Sequence, residues 1–271
     1  NEFPFAWPVG TGGDGGNPLE ARTVDLGDGR IVVLQQLSAS PRVLVAHGVF
    51  SAAECEAVRR LAEPKMSEST QLAGGISSVV PARNSDTAWM PRVLERAAAG
   101  GSDEAVLATV QRRLAALSRV HPSGAESMQV IRYRPGQHYH YHTDTGGASN
   151  IAGRALTALT YLNDDFEGGE LSFPTAGLDE PMRNVHQVRE RYGNGCQTEE
   201  GLTVQPRQGS VVLFYSLRPN SAEKDFYTWH GSCDVTRGEK WAANFWFHLE
   251  IMKGLHARDG TRPQTGDIGR G

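Results

Sequence analysis

The chain has 271 residues, of which 39% are apolar, so it is long enough to bury a sizeable core. Its 27 basic and 31 acidic residues give a net charge of −4, so there is no general basic field for a nucleic-acid backbone, with a local basic groove as the alternative. The 31 glycines and 14 prolines indicate many turns, and three cysteines are too few for a disulfide-stapled scaffold.

The N-terminal part predicts a lead-in followed by strands. Residues 1–29 are rich in Gly, Pro and Asp, which is typical of an extended or poorly ordered segment. The runs 30–37 and 42–50 are apolar and rich in β-branched residues, which favours strands. We therefore take 1–37 as an N-terminal extension with the first strand. The chain starts at Asn1 rather than methionine, which is compatible with an upstream signal or anchor.

Two helices are predicted next. Ser51 with Glu54 three residues later is a capping-box pattern, and Pro64 is expected to end the helix that it starts. Apolar residues at helical spacing predict a second helix over about 103–119. No apolar run approaches the roughly 20 residues that span a bilayer, so no membrane span is expected in this chain.

From about residue 126 the apolar period changes to two. Short β-prone runs separated by turn residues predict an antiparallel sandwich or jelly roll over about 126–250. The long polar segment 175–201 is interpreted as a surface insertion and a candidate lid. The segment 251–271 is polar and Gly-rich, and is interpreted as a C-terminal tail.

The tripeptide from His142 to Asp144 carries the strongest chemical signal. Residues i and i+2 of a strand share a face, so this imidazole and carboxylate project together. With His230 as a third ligand they would form a two-histidine, one-carboxylate set, which leaves positions on Fe(II) open for a co-substrate and O₂. Taken alone, each feature has an ordinary alternative: a surface histidine beside a turn aspartate, and a buried structural histidine.

Lys240 stands ten residues after His230, at the start of an apolar strand. Its ammonium could reach water along the side-chain stem, or it could face the interior and bind a carboxylate such as the distal one of 2-oxoglutarate. The order of His-x-Asp, a distant histidine and then a cation is far more specific than any of its parts.

The sequence resembles the prolyl 4-hydroxylase branch of the 2-oxoglutarate oxygenases over roughly residues 38–250, the expected catalytic domain. It looks most like the transmembrane, plant and algal enzymes. The matching segments are YRPGQHYHYHTD, RALTALTYLNDDFEGGELSFP, LTVQPRQGSVVLFY, WHGSCDVTRGEKWAANFWF and SPRVLVAHGVFSAAECEAVRRLAEPKMSEST. The resemblance implies an α+β fold with a double-stranded β-helix (jelly-roll) core and supporting N-terminal helices.

The resemblance also implies roles for individual residues. His142, Asp144 and His230 would hold iron, and Lys240 would pair with the C5 carboxylate of 2-oxoglutarate. Tyr133 would lie against the co-substrate. No catalytic acid or base beyond the metal ligands is expected, because the metal and co-substrate supply the oxidising power.

Substrate contacts and a disulfide are implied in the same way. Tyr139 would lie near the substrate proline, and Arg83 would lie in a loop over the active site. Cys196 and Cys233 match cysteines that are paired in several relatives, so a disulfide is expected between them. Two unpaired buried thiols are the alternative.

Three residues depart from the pattern of the relatives. Leu171 stands where relatives often have a threonine that supports the co-substrate carboxylate. Ser232 replaces a glycine and Asp234 replaces a proline in the segment after the distal histidine. These changes bear on co-substrate affinity and on the local turn, and leave the expected ligands intact.

The expected function is that of an Fe(II)- and 2-oxoglutarate-dependent dioxygenase that uses O₂ and ascorbate to 4-hydroxylate prolyl residues, with succinate and CO₂ as co-products. The expected partner is a proline-containing protein or peptide, and no nucleic acid. Alternatives are an oxygenase acting on another amino acid or small molecule, and a catalytically silent peptide-binding module. The expected location is the secretory pathway or endoplasmic reticulum, with the cytoplasm as the alternative.

Overall fold

The computed structural model describes residues 21–69, 71–73, 76–78, 84–96, 101–145, 153–193, 196, 199–218 and 223–248. Within them the chain is mostly antiparallel sheet, with three α-helices. The helices are α1 (Ala52–Ala62), α2 (Asp103–Ser118) and α3 (Val185–Tyr192). The strands are β1 (Ala21–Asp25), β2 (Ile31–Ser38), β3 (Val43–Ala46), β4 (Ser67–Glu68), β5 (Gln71–Ala73), β6 (Ile76–Ser78), β7 (Asp86–Met90), β8 (Met128–Tyr133), β9 (Tyr139–His142), β10 (Arg154–Tyr161), β11 (Glu167–Gly168), β12 (Leu171–Phe173), β13 (Leu202–Val204), β14 (Val211–Tyr215), β15 (His230–Ser232), β16 (Val235–Arg237) and β17 (Lys240–His248).

Nine strands form a large antiparallel sheet in the order β1-β2-β3-β14-β10-β17-β8-β7-β4. Strand β17 shows how its two faces differ, because successive side chains of a strand point to opposite sides. Trp241, Ala243 and Phe245 pack into the core that also contains the buried faces of α1 and α2. Lys240 and Asn244 therefore lie on the opposite face.

That opposite face, called here the inner face, packs against a four-stranded sheet in the order β13-β12-β15-β9. Leu159 and Phe214 of the large sheet share one apolar cluster with Leu171 and Phe173 of the small sheet. The small sheet carries both predicted histidine ligands, since β9 ends at His142 and β15 begins at His230. The predicted ligands thus lie between the two sheets.

Both predicted N-terminal helices are confirmed. Ser51 accepts a hydrogen bond from the Glu54 amide, and the Glu54 side chain accepts one from the Ser51 amide, which completes the predicted capping box. The α-helix ends before Pro64, which lies in a short 3₁₀ turn. None of the helices in the described part of the chain is long and apolar enough to cross a membrane.

The N-terminal lead-in contributes more structure than its composition indicates. Residues Ala21–Asp25 form strand β1, which pairs with β2, and β2 pairs in turn with β3. Strand β3 is shorter than the predicted run, since it ends at Ala46. The first two strands therefore extend the same large sheet that carries the site.

The predicted insertion contains helix α3 and is joined to the small sheet by a disulfide. Cys196 and Cys233 are bonded, as the family resemblance implies, and their Cα atoms are 4.9 Å apart. Val188 of α3 packs with Tyr141 and Trp229, which precede the two histidine ligands in sequence. The insertion is thus attached directly behind the strands that present the ligands.

Candidate active site

The three predicted metal ligands converge. Ligand atoms of His142, Asp144 and His230 all lie within 4.8 Å of one another. His142 and His230 face each other across strands β9 and β15, and their Nε2 atoms lie 3.7 and 3.6 Å from the two Asp144 oxygens. Two imidazoles and one carboxylate form the ligand set of non-haem Fe(II) oxygenases.

Backbone carbonyls fix the orientation of both imidazoles. Nδ1 of His142 donates to the His140 carbonyl at 2.8 Å, and Nδ1 of His230 donates to the Thr228 carbonyl at 2.9 Å. In each ring Nδ1 therefore carries a proton, and Nε2 is directed toward Asp144. Nε2 is thus the nitrogen that would bind a metal.

Asp144 is held as a carboxylate in a buried position. Its side chain is 5% exposed, and Thr157 on β10 donates to Oδ2 at 2.6 Å. Burial raises the pKa of Asp144, but the His230 and His142 rings, the Arg154 charge and the Thr157 hydroxyl outweigh it and lower that pKa to about 2. The group is therefore ionised at neutral pH, as a metal ligand must be.

Aromatic rings restrict both histidines. The ring centre of His230 lies 4.6 Å from that of Phe214 on the large sheet and 5.7 Å from that of Phe173 on the small sheet. Tyr139 stacks on His142 with the ring centres 3.7 Å apart. The His142 side chain is 22% exposed and that of His230 is 5% exposed, so the site is approached from the Tyr139 side.

Lys240 lies on the inner face and is 1% exposed, so of the two directions left open by the sequence its side chain takes the inward one. Its Nζ donates to the Gly169 carbonyl and to Ser232 Oγ, both at 2.7 Å. No carboxylate among the described residues forms an ion pair with it. Burial lowers the pKa of Lys240 to about 7, opposed by the charge of Glu170.

Two tyrosines flank the ammonium. Tyr133 lies opposite Lys240 across β8 and β17, and the ring centres of Tyr133 and Tyr161 are 5.2 and 5.6 Å from Nζ. The Tyr161 hydroxyl is buried and has no hydrogen-bond partner among the described residues. Burial raises its pKa, so it remains a neutral donor. Tyr133 is thus placed beside the cation, and its contact with the co-substrate stays a prediction.

The backbone shapes the space for the lysine. Gly169 has φ of +68°, which favours glycine, and a Cβ at this position would lie 2.9 Å from Lys240 Cδ. This close approach of the Gly169 backbone to the Lys240 side chain lets the Gly169 carbonyl accept a hydrogen bond from Nζ. Gly169 therefore holds the lysine head in place.

The inner face carries other buried polar atoms that have no hydrogen-bond partner in the part of the chain that the structure describes. Besides the Tyr161 hydroxyl, these are Gln129 Oε1, Asn244 Oδ1 and Trp246 Nε1. Buried polar groups are normally hydrogen-bonded, so unpaired atoms on this face are available to a polar ligand. A three-ligand metal set and a buried cation without a carboxylate fit Fe(II) and a dicarboxylic acid bound between the sheets.

A charged cluster at the far end of the inner face was missed by sequence reasoning. Arg154 forms a two-point ion pair with Glu126 at 2.7 and 3.0 Å, and its guanidinium lies 3.5 Å from the centre of the Trp246 ring. His248 also bonds Glu126, at 2.7 Å. No spacing rule joins these residues. Strand alternation gave no signal either, because Arg154 and Thr157 are three residues apart and the register of β10 shifts between Arg154 and Leu156.

Tyr139 and Arg83 are the predicted substrate contacts. Tyr139 contacts a ligand ring, as described above. Arg83 lies outside the described residues. Two further histidines lie just before His142 in sequence: His138 bonds Asp234 at 2.9 Å, and the tilted rings of His138 and His140 are 4.3 Å apart. Neither is part of the ligand cluster.

Comparison with known proteins agrees with this geometry. The family model described as the 2OG-Fe(II) oxygenase superfamily matches residues 128–248. Probable prolyl 4-hydroxylase 3 of Arabidopsis thaliana is 35% identical over 223 residues, which cover 80% of this chain and 72% of that protein. Prolyl 4-hydroxylase 1 of the same plant is 32% identical, covering 85% and 76%.

Two solved structures share the fold. The viral collagen prolyl hydroxylase of Paramecium bursaria Chlorella virus-1, in complex with 2OG, is 23% identical with a TM-score of 0.52, covering 77% of this chain and 96% of that one. A prolyl hydroxylase from Trichoplax adhaerens, in complex with a hypoxia inducible factor peptide, is 19% identical with a TM-score of 0.51, covering 76% and 83%. With relatives above 30% identity over most of both lengths, the chain belongs to the prolyl 4-hydroxylase family of 2OG-Fe(II) oxygenases.

Proposed function

We propose that this protein is an Fe(II)- and 2-oxoglutarate-dependent dioxygenase that 4-hydroxylates prolyl residues of a protein or peptide. The carrying observation is the convergence of His142, Asp144 and His230 in the same inter-sheet space as the buried ammonium of Lys240. When bound there, iron and 2-oxoglutarate would supply the oxidising chemistry, by which O₂, the co-substrate and a C–H group of the substrate give succinate, CO₂ and a hydroxylated carbon.

The protein itself would bind the metal, orient the co-substrate and exclude bulk water from the site. His142, Asp144 and His230 would hold the metal from one side and leave the rest of its coordination sphere to small molecules. Lys240 would bind the distal carboxylate of the co-substrate and so fix its direction. The aromatic walls at Phe214 and Phe173 keep bulk water from the deep side of the site. No protein acid or base is needed.

The finer fold assignment is also part of this proposal. We assign the large and small sheets to the two faces of a double-stranded β-helix, with α1 and α2 as outer supports. Ligands on β9 and β15 of the small sheet, with the lysine on β17 of the large sheet, support this assignment.

A proline-containing substrate suits the entrance of the site. Tyr139 covers the exposed side of His142, and the rings of Trp89 and Trp246 lie 6.0 Å apart on the inner face of the large sheet. Proline-rich segments dock on aromatic-lined grooves with little loss of entropy. Arg83 stays a predicted substrate contact.

The expected cellular setting rests on the disulfide. Cystine bridges persist in oxidising compartments, so the bond between Cys196 and Cys233 supports the secretory pathway as the site of action. We further propose ascorbate as the reductant that keeps the iron ferrous.

Incubation with a proline-rich peptide library, Fe(II), 2-oxoglutarate and ascorbate tests the activity. We expect a mass increase of one oxygen on proline, with one succinate formed per hydroxylation. The position of the hydroxyl is read by amino-acid analysis against 4-hydroxyproline and 3-hydroxyproline standards. Succinate release stimulated only by a free amino acid or small molecule would show that this compound, and not a peptide, is the substrate. Peptide binding without any metal-dependent turnover would contradict the enzyme assignment.

Thr157→Val is expected to weaken the metal site without removing a ligand. The Thr157 hydroxyl donates to Asp144 Oδ2 at 2.6 Å, and loss of such an outer partner typically lowers metal affinity about 10- to 100-fold. Anaerobic Fe(II) titration measures the effect. Thr160→Val is the matched control, because this buried hydroxyl of the same strand has no hydrogen-bond partner among the described residues. Equal iron affinity in the two variants would contradict a role for Thr157.

A further inference from the structure

Ser232 is in direct contact with the buried cation of the site. Its Oγ accepts a hydrogen bond from Lys240 Nζ at 2.7 Å, and Ser232 as a whole is 8% exposed. It stands two residues after the ligand His230, on the same strand β15. One short strand therefore presents a metal ligand and a hydroxyl that touches the carboxylate-binding lysine.

Hydrogen-bond counting shows that both groups retain a donor. An ammonium has three N–H donors, and Lys240 uses two of them on the Gly169 carbonyl and Ser232 Oγ. Ammonium cannot accept, so the Ser232 hydroxyl proton points elsewhere, and no acceptor for it is found among the described residues. Two unused donors thus stand within one hydrogen-bond length of each other in a buried space.

A carboxylate is the group that satisfies this pair. Its two oxygens accept hydrogen bonds side by side, and bonds to an ionised acceptor are the stronger kind. A neutral acceptor such as a single carbonyl would satisfy one donor and leave the other buried and unpaired. The pair of donors therefore favours a bound carboxylate over other polar ends.

We propose that Ser232 is a specificity-determining residue that donates its hydroxyl to the distal carboxylate of the co-substrate while orienting the Lys240 ammonium toward it. The inference rests on the proposed 2-oxoglutarate dependence. Ser232 and Lys240 form a two-donor subsite, and the residue at this position sets how strongly the enzyme prefers a dicarboxylic 2-oxoacid over a monocarboxylic one.

Leu171 explains why the hydroxyl matters at this position. It lies directly opposite Ser232 across β12 and β15, and opposed residues on a sheet share a face. Leu171 is buried and offers no hydrogen bond. Of these two opposed side chains, only Ser232 can hydrogen-bond a ligand held by Lys240.

Binding without turnover tests the proposal. Dissociation constants of 2-oxoglutarate and 2-oxopentanoate, which has the same carbon chain without the distal carboxylate, are measured by anaerobic calorimetry with the Fe(II)-loaded protein. Ser232→Ala is expected to weaken 2-oxoglutarate about tenfold and to leave 2-oxopentanoate unchanged, because only the former has the acceptor. Ser232→Gly should behave in the same way and serves if the alanine variant does not fold.

Ser172→Ala is the matched control. Ser172 is a buried serine on the adjoining strand, with its side chain on the face opposite to that of Leu171, where it bonds the Tyr141 hydroxyl. It should leave the affinities for both acids unchanged. Equal weakening of both acids by Ser232→Ala would show a structural role, and no weakening of either would show no role; both results overturn the proposal. Failure of the unaltered protein to bind 2-oxoglutarate would instead refute the proposed function.

Discussion

Replacing His230 with alanine is expected to abolish iron binding and turnover while the fold persists. Its Nε2 lies 3.6 Å from Asp144 Oδ2 and its Nδ1 is fixed by the Thr228 carbonyl, so the ring cannot be replaced by a neighbour. Loss of an outer partner typically costs about 10- to 100-fold in metal affinity, and loss of a ligand should cost more. Anaerobic Fe(II) titration and succinate release provide the measurements.

His121→Ala is the control for a histidine outside the site. His121 precedes a 3₁₀ turn and lies outside the ligand cluster, and its side chain bonds only the local Ser123 among the described residues. It should bind iron and release succinate like the unaltered protein. Full succinate production by His230→Ala would refute the ligand assignment, whereas loss of the folded state would be seen as a lost thermal transition. In that case His230→Gln, which retains more of the buried volume, replaces it.

The ligand set could be predicted from sequence because it obeys simple spacing rules. His142 and Asp144 stand two residues apart, at and just beyond the end of β9, and share one parity, whereas the sequence left the direction of Lys240 open between solvent and interior. The pairing of His230 with a site 88 residues earlier in the chain followed from family resemblance. The cross-strand register of β9 and β15 supplies its physical basis.

The supporting residues could not be predicted in this way. Thr157 reaches Asp144, and Ser232 reaches Lys240, through side-chain directions that only the packed sheets define. The pairing of Arg154 with Glu126 joins two strands without any motif. Strand β1 was missed because its Gly- and Pro-rich flanks dominate the local composition, while its partner β2 provides the hydrogen bonds that make it a strand.

Lys240→Met is expected to raise the 2-oxoglutarate requirement sharply. The variant retains the buried volume but removes the cation, and a hydrogen bond to a charged group contributes roughly 1.5–3 kcal/mol, or about 10- to 100-fold in affinity. Steady-state KM for 2-oxoglutarate and its anaerobic dissociation constant should rise together, with iron affinity unchanged. An unchanged requirement would place the carboxylate anchor elsewhere.

The same substitution should not destabilise the protein in the absence of 2-oxoglutarate. An ammonium buried without a carboxylate partner is unfavourable, which is why burial lowers its pKa. Methionine removes that penalty but leaves the Gly169 carbonyl and Ser232 hydroxyl with fewer partners. We expect an equal or higher melting temperature for the ligand-free variant. Addition of 2-oxoglutarate should stabilise the unaltered protein and have little effect on the variant.

The lysine also makes co-substrate binding depend on pH. In the ligand-free protein the pKa of Lys240 is about 7, below its usual 10.5, and a bound carboxylate raises it again. Binding therefore takes up a proton above pH 7, and 2-oxoglutarate affinity should fall as pH rises past 7, approaching tenfold per unit. Between pH 7 and 10.5 the lysine binds more protons in the unfolded chain than in the folded, ligand-free protein. The free energy of unfolding of the ligand-free protein should therefore increase with pH across that window. Calorimetry in buffers of different ionisation enthalpy should detect proton uptake in the unaltered protein and none in Lys240→Met; a flat affinity profile in both would refute the coupling.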